Sequence, residues 1–147
     1  MKWLIAHIIL FVSCLSFGQT TIEGKVLDDD LSPFPQVLIT TNNNLNTLTD
    51  INGNFKIVVD KEILSLTFSA LGLETTKIYL ESNCKNLDII IPQASTHCFA
   101  SEKKAKRLVA KRFKNLGAKY DDAYSRNLIG KKRPCGVVEF VNWKINL

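Results

Sequence analysis

The chain has 147 residues, a formal net charge of +5, 46% hydrophobic and 22% charged side chains. That balance excludes an intrinsically disordered polymer and supplies apolar material for one core. The length fits one domain with appendages.

The first residues, MKWLIAHIILFVSCLSFGQT, carry one cation, Lys2, then an apolar run from Trp3 to Val12 and a patch of small residues. Ser16 and Gly18 stand three residues and one residue before a cleavage point at Gln19. The segment reads as a secretory signal peptide, residues 1–18. A short membrane anchor and lipidation at Cys14 are the alternatives. The apolar run, about ten residues, is short for a membrane span.

From Gln19 to Ile91 the apolar residues alternate. Ile22, Gly24 and Val26 share one side; Val37 and Ile39 follow, then Phe55, Ile57 and Val59. Leu64, Leu66, Phe68 and Ala70 alternate with polar residues, Thr76, Ile78 and Leu80 share a face, and Leu87 to Ile91 is a short apolar run. A period of two over four to eight residues predicts half-buried strands. DDDLSPFP, the Asn42–Asn44 run, Asp50-Ile51-Asn52-Gly53 and Leu71-Gly72 supply the turns between them. The spacing predicts an antiparallel β-sandwich over residues 19–93.

The charge changes sign along the chain. Residues 19–100 hold five lysines against ten acids, whereas residues 101–147 hold thirteen Lys or Arg against four acids. This predicts a second structural unit, a C-terminal extension over residues 94–147, with the change of character near PQASTHCFAS. Within it, Ser101 suits a helix cap and Ala105, Leu108, Val109, Phe113 and Leu116 recur on one helical face, with Gly117 as the stop. Lys103, Lys104, Lys106, Arg107, Lys111, Arg112 and Lys114 cover the rest, a basic amphipathic helix. Its bland reading is a helix packed on the sandwich with solvated lysines outside. Its sharper reading is a surface for anionic lipid or lipopolysaccharide. Val141, Trp143, Ile145 and Leu147 alternate with Asn142, Lys144 and Asn146 and predict a terminal β-strand.

Cleavage after Gly18 would leave Cys84, Cys98 and Cys135. An oxidising compartment favours one disulfide among them, and three pairings are open. Cys98–Cys135 is the preferred pair, because it would tie together the ends of the extension.

The order of these pieces resembles the carboxypeptidase regulatory-like domain family. The residues that carry the resemblance are Gly24-Lys25-Val26, Pro33 or Pro35 with Val37, the TDINGNF stretch with Thr49, Asp50, Gly53 and Phe55, and Leu66, Phe68, Ser69, Gly72 and Glu74. The glycine usual after the proline element is missing. The resemblance implies a mainly β protein: a seven-stranded, prealbumin/transthyretin-like antiparallel sandwich, here followed by the helix and terminal strand. It also implies a non-catalytic role, since such domains are accessory. They stand at the N-terminus of TonB-dependent outer-membrane receptors and in standalone envelope proteins. The expected partners are therefore an envelope protein or glycan, with an anionic membrane surface as the second possibility and no nucleic acid.

Chemistry finds little support in the residues. Asp50, Asn52 and Asn54 alternate around Gly53 as in a calcium loop, but the twelfth position from Asp50 is Lys61 and the residues between read as a strand. A zinc carboxypeptidase needs a set of His and Glu ligands, and only His97 remains after residue 18. Cys84, Cys98, Cys135 and His97 have the count for zinc but no paired spacing. No enzyme activity, metal or cofactor is expected. Gly24, Asp50, Gly53, Phe55 and Gly72 are expected to build turns and core.

Overall fold

The computed structural model describes residues 19–60, 65–94, 102–141 and 145–146. Among them are nine strands and one helix: β1 (Gln19–Asp28), β2 (Leu38–Thr41), β3 (Asn46–Leu48), β4 (Asn54–Asp60), β5 (Ser65–Ser69), β6 (Thr76–Leu80), β7 (Ile89–Ile91), α1 (Glu102–Ser125), β8 (Gly136–Phe140) and β9 (Ile145–Asn146). They form a mainly β, sandwich-like protein with a three-stranded sheet, β4-β1-β7, and a six-stranded sheet, β3-β2-β5-β6-β8-β9.

Alternation explains most of this. In β4, Phe55, Ile57 and Val59 are buried while Asn54, Lys56 and Val58 are exposed. In the larger sheet Ile39, Leu66, Phe68 and Ile78 are fully buried. Phe55 meets Phe68 edge-to-face across the sandwich, with ring centroids 5.7 Å apart, the favoured geometry for two quadrupoles. The inner faces of the two sheets thus close one apolar core.

The architecture departs from a purely antiparallel sandwich of seven strands. β1 runs antiparallel to β4 but parallel to β7, with Val26, Leu27 and Asp28 opposite Ile89, Ile90 and Ile91. All six of these residues are buried, so alternation fails there. Asp28 is covered by its own loop, its carboxylate accepting from the N–H groups of Asp30 and Ser32, and Ile90 is covered by α1. The Ile90 N–H donates to the Tyr120 hydroxyl at 2.9 Å, which satisfies an edge amide that β1 does not reach.

The extension shares the core of the sandwich: Phe113, Leu116, Tyr120, Ala123, Ile129, Val138 and Phe140 belong to the same buried cluster as the sandwich residues. Phe113 and Leu116 are buried as the periodicity predicts, but Leu108 is 42% exposed. Helix α1 does not stop at Gly117; it runs on to Ser125, and Tyr120 and Ala123 extend the buried face at spacings of four and three. A glycine costs a helix only about 1 kcal/mol relative to alanine, and burial of this face outweighs that. The end of the chain also differs from the single predicted strand. The first strand begins earlier, as β8, with Val138 and Phe140 inward; after a turn at Val141, β9 pairs back on it. β8 in turn pairs with β6, Thr76 opposite Phe140 and Leu80 opposite Gly136.

That pairing corrects the expected disulfide. Cys135 is bonded to Cys84, not to Cys98, with Cα atoms 5.7 Å apart. Cys84 follows β6 and Cys135 precedes β8, so the register brings the two together. Cys98 and His97 lie outside the described residues, as do Cys14 and residues 1–18.

Candidate functional site

The TDINGNF stretch forms a tight turn between β3 and β4. One Asp50 carboxylate oxygen accepts from the backbone N–H groups of Asn52 and Asn54, both at 2.8 Å, and the other accepts from the Asn54 side-chain amide at 3.2 Å. These bonds, the Asn54 N–H first, hold the Asp50 pKa below its ordinary value. The carboxylate that suggested a calcium ligand is thus engaged by the turn itself. Gly53 takes φ +75°. It also sits against the backbone of β1: its carbonyl accepts from Val26 N–H at 2.8 Å, and a Cβ there would press on the Val26 carbonyl oxygen.

Thr49 is a second anchor. Its hydroxyl donates to the Phe34 carbonyl at 2.8 Å and accepts from Val37 N–H at 2.9 Å. It fixes the proline loop that precedes β2. In that loop Gln36 holds φ +57°, a region that costs a residue with a Cβ about 1–2 kcal/mol. Gly24 lets β1 approach the Leu87 carbonyl, which a side chain would block. Gly72 takes φ +89° in open space between β5 and β6. Phe55 is buried at the start of β4. Of the five residues expected to build turns and core, Gly24, Asp50 and Phe55 come together on the lining of one cleft, whereas Gly53 and Gly72 stand apart from it.

A polar cleft of about 1000 Å³ opens where the β1–β4 face meets the 127–130 segment. On its strand wall Glu23 and Lys56, opposite each other in the β1–β4 register, pair at 2.7 Å. Asp88 closes its floor: one oxygen accepts from Lys25 N–H at 3.0 Å and the other from Gly130 N–H at 2.7 Å. Asn54, Asn86 and Asn127 supply further polar edges. Sequence reasoning missed Asp88 and the 127–130 segment, because nothing in the alternation says that a C-terminal loop returns to β1.

The basic residues of α1 divide. Lys103, Lys104, Arg107, Lys111 and Lys114 are exposed. Arg112 instead turns inward and pairs with Asp29 at 2.6 Å, partly buried. Burial works to raise the Asp29 pKa, but the Arg112 hydrogen bond and the Gln93 N–H outweigh it, and the net shift is downward. Lys106 belongs to the helix, and its side chain lies outside the described set. Among the described residues no three His, Cys, Asp or Glu side chains gather as a metal site, and Cys84 and Cys135 are consumed by their disulfide.

Residues 22–98, just over half of the chain, match the family model of the CarboxypepD_reg-like domain. The chain belongs to the carboxypeptidase regulatory-like domain family. The matched span begins in β1, and β1 to β7 all lie within or overlap it. It takes in the Asp50–Gly53 turn and Gly72, and it leaves out α1, β8 and β9, of which α1 and β8 add residues to the same core. No curated protein matches the chain. Domains of this family are regulatory and non-catalytic, in keeping with a binding or structural module.

Proposed function

We propose that this protein is a non-catalytic, exported module of the cell envelope that binds an envelope protein or glycan, in a role accessory to outer-membrane nutrient uptake. The family match carries the reading. Two features support it. The Cys84–Cys135 bond suits an oxidising compartment. The polar cleft combines amides with charges of both signs, a lining suited to hydroxyls or a peptide backbone.

Cell fractionation with intact-mass measurement tests the export part. The expected result is an envelope-fraction species that begins at Gln19 and carries one disulfide. A full-length, reduced, cytosolic species would overturn it. Binding to isolated cell-wall glycan and to outer-membrane extracts, with Lys56→Glu and Asn127→Ala as cleft variants, tests the rest. A wild type that binds neither sinks the envelope-ligand reading.

The exposed Lys103, Arg107 and Lys111, at successive spacings of four, favour a second reading: contact with an anionic membrane surface. The buried Phe113 and Leu116 exclude deep insertion of that half of α1, so attraction would be electrostatic. Binding to anionic vesicles should then fall steeply between low and physiological salt. Salt-independent binding, or none, would remove this reading.

A further inference from the structure

β4 ends the smaller sheet on one side: among the described residues it pairs with β1 and with no other strand. In an antiparallel pair the N–H and C=O of one residue point to the same neighbour, and those of the next residue point the other way. Two observations fix which residues of β4 point outward. The Asn54 N–H donates to the Asp50 carboxylate and the Asn54 carbonyl accepts from Asp50 N–H, so both turn away from β1. Glu23, opposite Lys56, spends its own N–H and C=O on Lys85 and Leu87, so Lys56 is not bonded to it. Phe55, Ile57 and Val59 therefore bond to β1, and Asn54, Lys56, Val58 and Asp60 present their main chain to the free edge.

The Asp50 turn closes this edge at Asn54. Beyond it, no group among the described residues bonds the outward N–H and C=O of Lys56 and Val58. Lys56 is exposed and Val58 is 47% exposed. Open edges are usually blunted by a proline, a bulge or a charged side chain. β4 has no proline, and its register with β1 runs without a break. Its one described charge, Lys56, is neutralised by Glu23 at 2.7 Å. The edge is left fit for pairing.

We propose that β4 pairs with β4 of a second copy of the chain, antiparallel about a two-fold axis at Val58. The open window is Lys56, Val58 and Asp60, and Val58 is its midpoint. A two-fold there sets Val58 opposite Val58 and Lys56 opposite Asp60 at both ends, a basic position against an acidic one. All three outward positions then form bonded pairs, about six main-chain bonds in all. A two-fold one residue earlier, at Ile57, would set Lys56 against Val58 and Asp60 against Asn54, whose main chain the turn has taken. The two smaller sheets become one, in the order β7-β1-β4-β4-β1-β7. The contact is the same patch on both copies, so it closes at a dimer. It is narrow, and the dimer is therefore weak and dependent on concentration. The pairing rests on neither reading of the function above.

Sedimentation equilibrium and amide hydrogen exchange by NMR, from micromolar to millimolar protein, test the pairing on the intact, disulfide-bonded chain. The mass should double as concentration rises. Over the same range the Lys56 and Val58 amides should gain protection, whereas those of Phe55, Ile57 and Val59, already bonded to β1, should not change. Val58→Pro removes an N–H that the β1 ladder does not use, so it should keep the fold and abolish the dimer. Asp60→Lys should weaken the dimer about tenfold by setting like charges against each other at both ends. Val137→Thr, on the exposed face of the larger sheet, should leave it unchanged. Should Val58→Pro disturb β4, the exchange pattern and Asp60→Lys decide. Three outcomes overturn the pairing: a chain that stays monomeric at millimolar concentration, a dimer that Val58→Pro leaves intact, or protection of the Lys56 and Val58 amides only when an envelope extract supplies a foreign strand.

Discussion

Phe113 of α1 and Phe140 of β8 lie face to face, with ring centroids 4.0 Å apart and planes 6° apart. One is 2% exposed and the other fully buried. The pair joins the helix to the inner face of the larger sheet and makes the extension part of the fold. Phe113→Ala and Phe140→Ala should each cost about 3–5 kcal/mol by denaturant unfolding. The double variant should cost less than the sum, by about 0.5–1.5 kcal/mol. A Phe113→Ala cost under about 1 kcal/mol would mean that α1 is only loosely held.

The Cys84–Cys135 bond spans 51 residues of sequence. Chain entropy alone assigns about 4 kcal/mol to a loop of that size. Cys84→Ser should therefore lower the denaturant midpoint markedly and remove its dependence on reductant. Cys98→Ser should leave the gel shift between oxidised and reduced protein intact; its disappearance would restore the Cys98–Cys135 pairing.

Acid should weaken the fold through Asp29 and Asp50. Both have folded-state pKa values below the ordinary 3.8. A carboxyl with a depressed folded pKa stabilises the fold fully above its unfolded value, and the contribution fades as pH falls through the folded one. Stability that these groups supply is thus complete at neutral pH and lost below about pH 4. Asp29→Asn should flatten the acid limb of a stability–pH curve, and Arg112→Gln should do so too by removing the partner. An unchanged curve in both variants would contradict the pairing.

Two backbone positions should respond in opposite directions. Gly53→Ala meets both the positive φ and the Val26 carbonyl, and should destabilise by more than about 1 kcal/mol. Gln36→Gly relieves a left-handed φ on an exposed residue and keeps its N–H bond to the Thr49 carbonyl. It should stabilise by about 0.5–1 kcal/mol, the strain relieved less the entropy glycine loses. Thermal melts of the two variants give the check.

Much of the sandwich was legible because the signals are local. Alternation in β4 and β5 and the Asp50–Gly53 turn need only neighbours in sequence. What was illegible depends on a surface supplied from far away. Ile90 is buried beside Ile89 and Ile91 because α1 covers it, which no period of two can announce. Gly117 reads as a stop until Tyr120 and Ala123 are counted with Phe113 and Leu116. Cys84 finds Cys135 only through the β6–β8 register. The polar cleft was illegible for the same reason, since Asp88 joins Lys25 to Gly130 across long stretches of chain. The exposed lysines of α1 were readable as a list, but Arg112 needed the position of Asp29 to be told apart from them.

The Tyr120 hydroxyl on Ile90 N–H and the seating of β8 on β6 set an order of assembly. Thr76 waits for Phe140, and Ile90 waits for Tyr120, so two strand edges stay open until the last third of the chain arrives. Long-range pairings of this kind fold slowly. A chain cut at residue 98, where the family match ends, would carry both edges uncovered and would be prone to pair with other chains. The span recognised as a domain is therefore shorter than the unit that must fold.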